Sequence, residues 1–500
     1  MIKAKLYFDP DNPVLLAEKD FQDENGNWEG LIDSISNLSR SFGEKKSFEV
    51  SGLSLTCRDH NRKFRDILSG PNRFFARKKV EIFNDDTPLY TGVMQKCGVR
   101  GEYFHVEIND LLVGLKNVIL KEIKKSEYDN APTSASGKPI NIIIGEVYGP
   151  GGAIPVYRID TAKFLIADHN IYSIDNVYDQ NGTELTGFTL TNENGRAYLN
   201  ITSDEETLYI NCRGLIDAQN QLITDPIEVF KFILDNYTQI EYSDLSEIQT
   251  EMQARFYRFD GAIVKKIMVE NFLENFCICF DCDFFFTKAK LLALSMFKWV
   301  NQTEDLFLQE SQIDDIEIDE NPDPIRNRIQ YNHHYHFHKD YYQKQPEHSR
   351  ESSIQNWGEF FDNLNFIYIA DHSTAYDVVQ NHAIVHSDRE RITTVSLPLK
   401  YIKSAVDIGS TVGFSHSKAV AKGFRKYQIR RLSVDFKFKY IVLTLRDLSS
   451  LSGGVIVLGD ENELPGTWNE ADDYARQYFY VADEATGFFG NGIDPGKRLF

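Results

Sequence analysis

Histidine and cysteine are the residues in this sequence whose types and spacing could do chemistry. In His333-His334-Tyr335-His336-Phe337-His338, imidazoles recur at alternate positions. Successive side chains on a strand point to opposite faces, so His334, His336 and His338 would share one face. Three neutral imidazoles so placed could hold one metal ion. Metal-bound histidines usually lean on carboxylates that orient their rings, and none stands within the row. The row therefore reads as a polar face of a tyrosine-rich strand, with His334, His336 and His338 as the only metal candidates. Cys277-Ile278-Cys279-Phe280-Asp281-Cys282 supplies thiols, but the second ligand pair of a structural zinc site is missing. Flanked by Phe276, Phe284, Phe285 and Phe286, these cysteines read as small apolar core residues.

Two further patterns fail on inspection. Asp315, Glu317 and Asp319 imitate the start of a calcium loop, yet Glu320 stands where glycine belongs and Arg326 where the closing glutamate belongs. Gly492 to Lys497 resembles a phosphate loop in outline, but Asn491 replaces its first glycine and Arg498 its Ser or Thr. Glycoside hydrolysis needs two carboxylates across a cleft, and among 74 acidic residues none is singled out. The expectation is no catalytic residue, no cofactor and no resident metal.

The elements that would position these residues are mostly strands. Phe48-Glu49-Val50 leads through Gly52 into the alternating Leu53, Leu55 and Cys57. Val80 to Phe83, the turn Asn84 to Pro88, and Leu89 to Val93 read as a hairpin. Asn181-Gly182 and Asn194-Gly195 mark tight hairpin turns within a meander from about Ile154 to Cys212, because both residues tolerate positive φ. The period then changes. Asp225-Pro226-Ile227-Glu228 combines an N-cap, a proline at the first helical position and an early glutamate, and Ile227, Phe230, Leu234 and Tyr237 follow at helical spacing. A second helix is predicted over Gly261 to Phe276. An acidic linker is expected between Gln309 and Pro324, with strands resuming at Asn327-Arg328-Ile329, Phe366 to Ile369, Val395 to Leu399 and Tyr440 to Leu445.

Composition narrows the class. Five hundred residues exceed what one core serves, and 42% hydrophobic residues with 35 Phe and 25 Tyr favour several β-rich domains. Six scattered cysteines do not form a secreted disulfide framework. No run approaches the roughly 20 apolar residues of a membrane span, and the first ten residues lack the pattern of a signal peptide. The net charge of −20 opposes the phosphate contacts on which nucleic-acid binders rely, so no specific nucleic-acid binding is expected. No repeat of fixed period marks an adhesin array.

Several blocks, taken in order, resemble the hub proteins of tailed-phage tail tips and baseplates. They are Ile35 to Phe42, Phe48 to Cys57, Tyr90-Thr91-Gly92-Val93, Thr224-Asp225-Pro226, Asn327-Arg328-Ile329, Ser353-Ile354 with Trp357-Gly358, Asp407 to Val412, and Tyr427 to Asp447. The resemblance implies a mainly β, multi-domain chain: two tail-tube-like β-barrels, a β-meander domain and a small α/β insert. The implied divisions are a first barrel at 1–125, the meander at 126–215, a helical insert at 216–312, a second barrel at 313–450 and a C-terminal extension at 451–500. It also implies that strands near 200–215 serve the second barrel. As a hub, the chain would form a homotrimer whose six barrels adapt a sixfold tube to a threefold tip. Its partners would be the tail tube or distal tail protein and a tail-tip spike, fibre or tape-measure protein, with DNA passing through the lumen. It would be made in the host cytoplasm and carried in the virion. The alternatives are the hub of a contractile injection system and a carbohydrate-binding or glycoside-hydrolysing tail-associated protein. The aromatic residues of 453–500, Tyr478 to Tyr480 and Phe488-Phe489 among them, imply contacts outside their own barrel.

Overall fold

A computed structural model describes residues 1–448 apart from 10, 43–47, 71–77, 110–114, 289–290, 297–303, 321–324, 388–390, 402–405 and 418–424; beyond 448 it describes only 480–481 and 497–498. The extension at 451–500, the phosphate-loop outline and the contacts expected of the tail otherwise lie outside the described residues. The described chain is mainly β and forms curled half-barrel sheets. It divides into two compact units. One takes the described residues within Met1–Phe297, Pro324–Ser387 and Ser433–Lys439; the other takes those within Lys298–Asp323, Asp388–Leu432 and from Tyr440 onward.

The first unit opens with a seven-stranded antiparallel sheet in the order Val14–Ala17, Ile2–Leu6, Lys79–Asn84, Thr87–Arg100, Tyr103–Asn109, Leu53–Arg58 and Ile32–Ile35. Alternation explains it: Phe104, Val106 and Ile108 are fully buried while Tyr103, His105 and Glu107 face outward. The hairpin read from Val80 to Val93 is present, and a bulge between Met94 and Lys96 lets its long second strand bend. The helix Lys63–Ser69 closes one face by stacking Phe64 on Phe104, centroids 4.2 Å apart. Gly52 marks a change of partner: Phe48–Val50 pairs with Leu38–Phe42, and Leu53–Arg58 pairs within the larger sheet.

The meander follows as a second sheet, in the order Glu184–Leu185, Ile171–Tyr178, Thr207–Leu215, Ile154–Asp160, Lys163–Ala167, Arg196–Asn200 and Thr189–Glu193. The Asn194-Gly195 turn has both residues at positive φ, 51° and 73°, as a two-residue hairpin demands. Thr207–Leu215 lies inside this sheet, bonded to Ile154–Tyr157 on one side and to Ile171–Tyr178 on the other. Both of its edges are used, so it is a meander strand rather than part of a second barrel.

The helical insert begins as its capping residues dictate. Asp225 Oδ1 accepts from the amides of Ile227 (2.9 Å) and Glu228 (3.0 Å) at the start of the helix Pro226–Tyr237. The second helix differs from expectation: it runs Val269–Phe280, and Gly261–Ile263 is a strand paired with Ile142–Ile144. The segment is buried on every side, which removes the periodicity that separates strand from helix. Phe366–Ile369 likewise forms a buried turn, with the strand earlier at Phe361–Asn365. Tyr368 stacks on Phe259 (4.8 Å) amid Phe272, Phe276 and Phe280, and this anchors residues 325–387 in the first unit.

In the second unit, the sheet path runs Leu306–Leu308, Thr411–Phe414, Arg425–Asp435, Tyr440–Asp447, Arg391–Pro398 and Asp315–Glu320. The expected acidic linker is thus in part an edge strand, Asp315 to Glu320 paired with Ser396 to Arg391. Ile316 and Ile318 alternate with acidic residues, which suits an edge: charge discourages further pairing.

Two buried ionisable groups in the first unit give opposite pH dependences. His169 accepts from the Ile143 amide at Nε2 (3.0 Å) and donates from Nδ1 to the Asn170 carbonyl (2.9 Å), a neutral arrangement; burial pushes its pKa down to about 4. The folded state then binds fewer protons than the unfolded chain, so stability present above pH 6.5 is lost as pH falls toward 4. The shift corresponds to about 3 kcal/mol. Asp260, 5% exposed, accepts from the Glu146 amide (2.9 Å), and burial raises its pKa to about 6. Here the folded state holds its proton longer, so stability present at pH 4 is lost as pH rises through 6, again by about 3 kcal/mol at most. Denaturant titrations across pH 4–8 should show His169→Gln flattening the acid side and Asp260→Asn the neutral side. Parallel profiles for either variant and wild type would contradict the assignment.

Candidate functional site

The histidine row sits on the strand Arg328–His336, which pairs with Tyr341–Lys344, Glu347–Ser349 and Phe361–Asn365. Its three metal candidates all turn toward the meander and its 148–152 loop, with the His336 and His338 rings 6.3 Å apart. His334 has φ +58°, which interrupts the alternation, and the strand ends at His336, so His338 belongs to the following turn. The reason is what lies opposite. A loop at residues 148–152 presents carbonyls to the row, and the imidazoles turn to meet them.

His334 Nε2 donates to the Tyr148 carbonyl (3.2 Å), which also accepts from Gln343 Nε2 (3.0 Å). His336 Nε2 donates to the Pro150 carbonyl (3.3 Å), which also accepts from Lys339 Nζ (2.9 Å). His336 Nδ1 accepts from the Lys339 amide (3.3 Å), so both of its nitrogens are engaged. His338 packs its ring on Tyr209 at 4.0 Å. From the other side, the buried Asn211 accepts from the amides of Gly149 (2.9 Å) and Ala153 (3.1 Å) and returns a bond to the Gly149 carbonyl (3.2 Å). The loop is therefore gripped between the meander and the histidine strand. Burial holds the pKa values of His334, His336 and His338 below the ordinary histidine value, which keeps the rings neutral donors and acceptors near pH 7. Among the described residues, no three His, Cys, Asp or Glu side chains gather as a metal ion would require.

His333, the row's first member, faces another way. It is buried, its pKa is pushed down to about 4 by burial, and its Nδ1 contacts the Ala370 carbonyl (3.3 Å). Its Nε2 is then the acceptor for His372 Nδ1, 3.3 Å away. The rings of Tyr331, His333, His372 and Tyr376 run in sequence toward the surface, at 6.0, 5.4 and 6.2 Å between neighbours. Sequence reasoning missed this ladder because its members come from two segments about forty residues apart. The cysteine cluster behaves as read: Cys277, Cys279 and Cys282 are all buried, with Cys277 and Cys282 Sγ 3.5 Å apart.

No family model and no curated protein matches this chain. Solved structures do. The tail protein from Neisseria meningitidis MC58 is 7% identical with a TM-score of 0.42, over 89% of this chain and 95% of that one. The prophage MuSo2 43 kDa tail protein from Shewanella oneidensis is 7% identical with a TM-score of 0.43, over 90% and 100%. Prophage tail protein gp18 from Listeria monocytogenes EGD-e is 9% identical with a TM-score of 0.39, over 89% and 94%. These matches are phage tail proteins.

The grip on the loop yields a direct test. A Cβ at Gly149 would lie 2.6 Å from His336 Cδ2 and 2.8 Å from its Nε2. Gly149→Ala should cost about 1–3 kcal/mol of unfolding free energy through overpacking. Removing the obstructing ring in Gly149→Ala/His336→Ala should recover part of that cost in a double-mutant cycle. Strictly additive losses would show that the two residues do not meet.

Proposed function

We propose that this chain is a structural subunit of a phage tail, a hub that joins the sixfold tail tube to a threefold tip. The observation that carries the reading is internal to the chain. One curled antiparallel sheet is built from strands within residues 2–35 and 53–109. A second curled sheet, antiparallel except for the parallel pairing of Leu306–Leu308 with Thr411–Phe414, takes strands within 306–320 and 391–447, with a meander and helical insert intervening in sequence. A chain that carries two such sheets can present six of them in three copies, as a sixfold-to-threefold adaptor needs. The sequence blocks that resemble hubs support the reading because they fall on defined elements. Tyr90 to Val93 lies in the long strand of the first sheet, Asp225-Pro226 starts the capped helix, and Tyr427 to Asp447 spans the last long hairpin.

The role is structural rather than catalytic. The side chains with chemical potential hold the fold together: histidines on carbonyls, cysteines in the aromatic core, Asp225 on amides. An excess of 74 acidic over 54 basic residues suits a conduit wall that DNA passes without adhering.

Negative-stain images of the purified protein should show threefold rings with a central hole, and light scattering should give three subunits per particle. A stable monomer that forms no ring with a tail-tube or tail-tip protein overturns the hub reading. Anisotropy titrations with duplex DNA should detect no binding at physiological salt; a steep loss of measurable binding with added salt would instead reveal a local basic patch.

A further inference from the structure

The short helix Ser246–Ala254 ends in a Schellman motif. The Tyr257 amide bonds the Met252 carbonyl (3.0 Å) and the Phe256 amide bonds the Gln253 carbonyl (3.0 Å). The residue after the cap must then be left-handed, and Phe256 has φ +56°. Glycine is the usual occupant, because a side chain there meets the backbone. Phe256 instead carries a phenyl group that is 84% exposed. A single exposed phenyl is ordinary on a protein surface. One held at positive φ, with so little of its ring buried in return, points to a contact outside the chain.

What lies beside the ring narrows that contact. Phe256 borders an open depression of about 600 Å³ that is also lined by Arg255, His372, Ser373, Tyr376 and Asp377. Its volume lies in the range of small-molecule sites. Tyr376, 40% exposed, is a second aromatic ring on its lining. The polar groups around them are positioned rather than loose. Arg255 is held by Glu251 Oε1 (2.9 and 2.7 Å), with Asp377 3.8 Å away. Asp377 Oδ2 accepts from Tyr257 Oη (2.8 Å) and Asn381 Nδ2 (3.1 Å). His372 is fixed by His333 within the ring ladder that ends at Tyr376.

Carboxylates already balance the guanidinium, so the depression has no surplus cation for a phosphate or an acidic ligand. A neutral ligand with one apolar face and a polar rim fits. A pyranose has that character: its C–H face stacks on aromatic rings, whose faces are electron-rich, and its hydroxyls meet planar acids, imidazoles and guanidinium groups. We propose that this depression is a binding site for a neutral sugar, with Phe256 and Tyr376 as stacking surfaces and Arg255, His372 and Asp377 as hydroxyl partners. The site is separate from the hub assignment and stands or falls independently of it.

Saturation-transfer NMR on the full chain, with glucose, galactose, rhamnose and N-acetylglucosamine as probes, tests the assignment. At least one sugar should receive saturation from the protein, and its titration should give a millimolar dissociation constant. Phe256→Gly should weaken binding by about tenfold or more. Because glycine suits the left-handed position, the same variant should melt at an equal or higher temperature, and Phe256→Asn gives a second variant that tolerates this conformation. Tyr376→Ala should weaken binding similarly, whereas Phe361→Ser, at a phenyl exposed elsewhere, should leave it unchanged. The proposal is overturned if no probe receives saturation, or if Phe256→Gly binds as wild type does. It is equally overturned if Phe256→Gly abolishes association between copies while sugar binding persists, since the ring would then be an interface residue.

Discussion

The stacked rings of Phe259 and Tyr368, 4.8 Å apart and 17° from parallel, draw together segments more than one hundred residues distant in sequence. Around them, Phe272, Phe276 and Phe280 from one helix form a continuous aromatic interior. Backbone geometry makes this contact a junction. The Asp260 amide bonds the Tyr368 carbonyl (2.9 Å), while the Asp260 carboxylate receives the Glu146 amide next to the meander. Gly145, at φ +65°, permits the approach, because a Cβ there would lie 2.3 Å from the Phe259 carbonyl oxygen. Without this junction, the histidine strand would have no fixed position from which to meet the loop at 148–152.

Much of the local structure was legible because its cause is local. Asn194-Gly195 fixes a hairpin through the φ angles those residues tolerate, and Asp225-Pro226 fixes a helix start through two amide bonds and a preset φ. Alternation in Phe104, Val106 and Ile108 declares a half-buried strand. Legibility fails where burial is complete. Gly261–Ile263 is buried throughout and Phe366–Ile369 is apolar and buried except for the half-buried Ile367, so no period distinguishes a strand or turn from a helix. Asp315–Glu320 was obscured for the opposite reason, since an edge strand uses acidic residues that in isolation resemble a linker.

The sites were less legible still. The sequence shows six residues with four histidines, but the kink at His334 is imposed by carbonyls nearly two hundred positions away. The depression beside Phe256 depends on a helix whose terminator is phenylalanine, where the usual signal would be glycine. A non-glycine residue in a glycine position is invisible until the backbone is known. The polar row read from sequence becomes, in the fold, His334 and His336 bonded to loop carbonyls and His338 packed on Tyr209.

Gly149 and His336 illustrate what such packing implies for the history of the chain. The glycine lacks a side chain where the imidazole lies, and the imidazole is held there by two hydrogen bonds. The two positions therefore share one degree of freedom, and the order of substitution matters. A lineage that first shrinks the ring can later enlarge the glycine, whereas the reverse order passes through a clash. Drift at this joint is thus directional, and the pair should covary although 186 intervening positions separate its members.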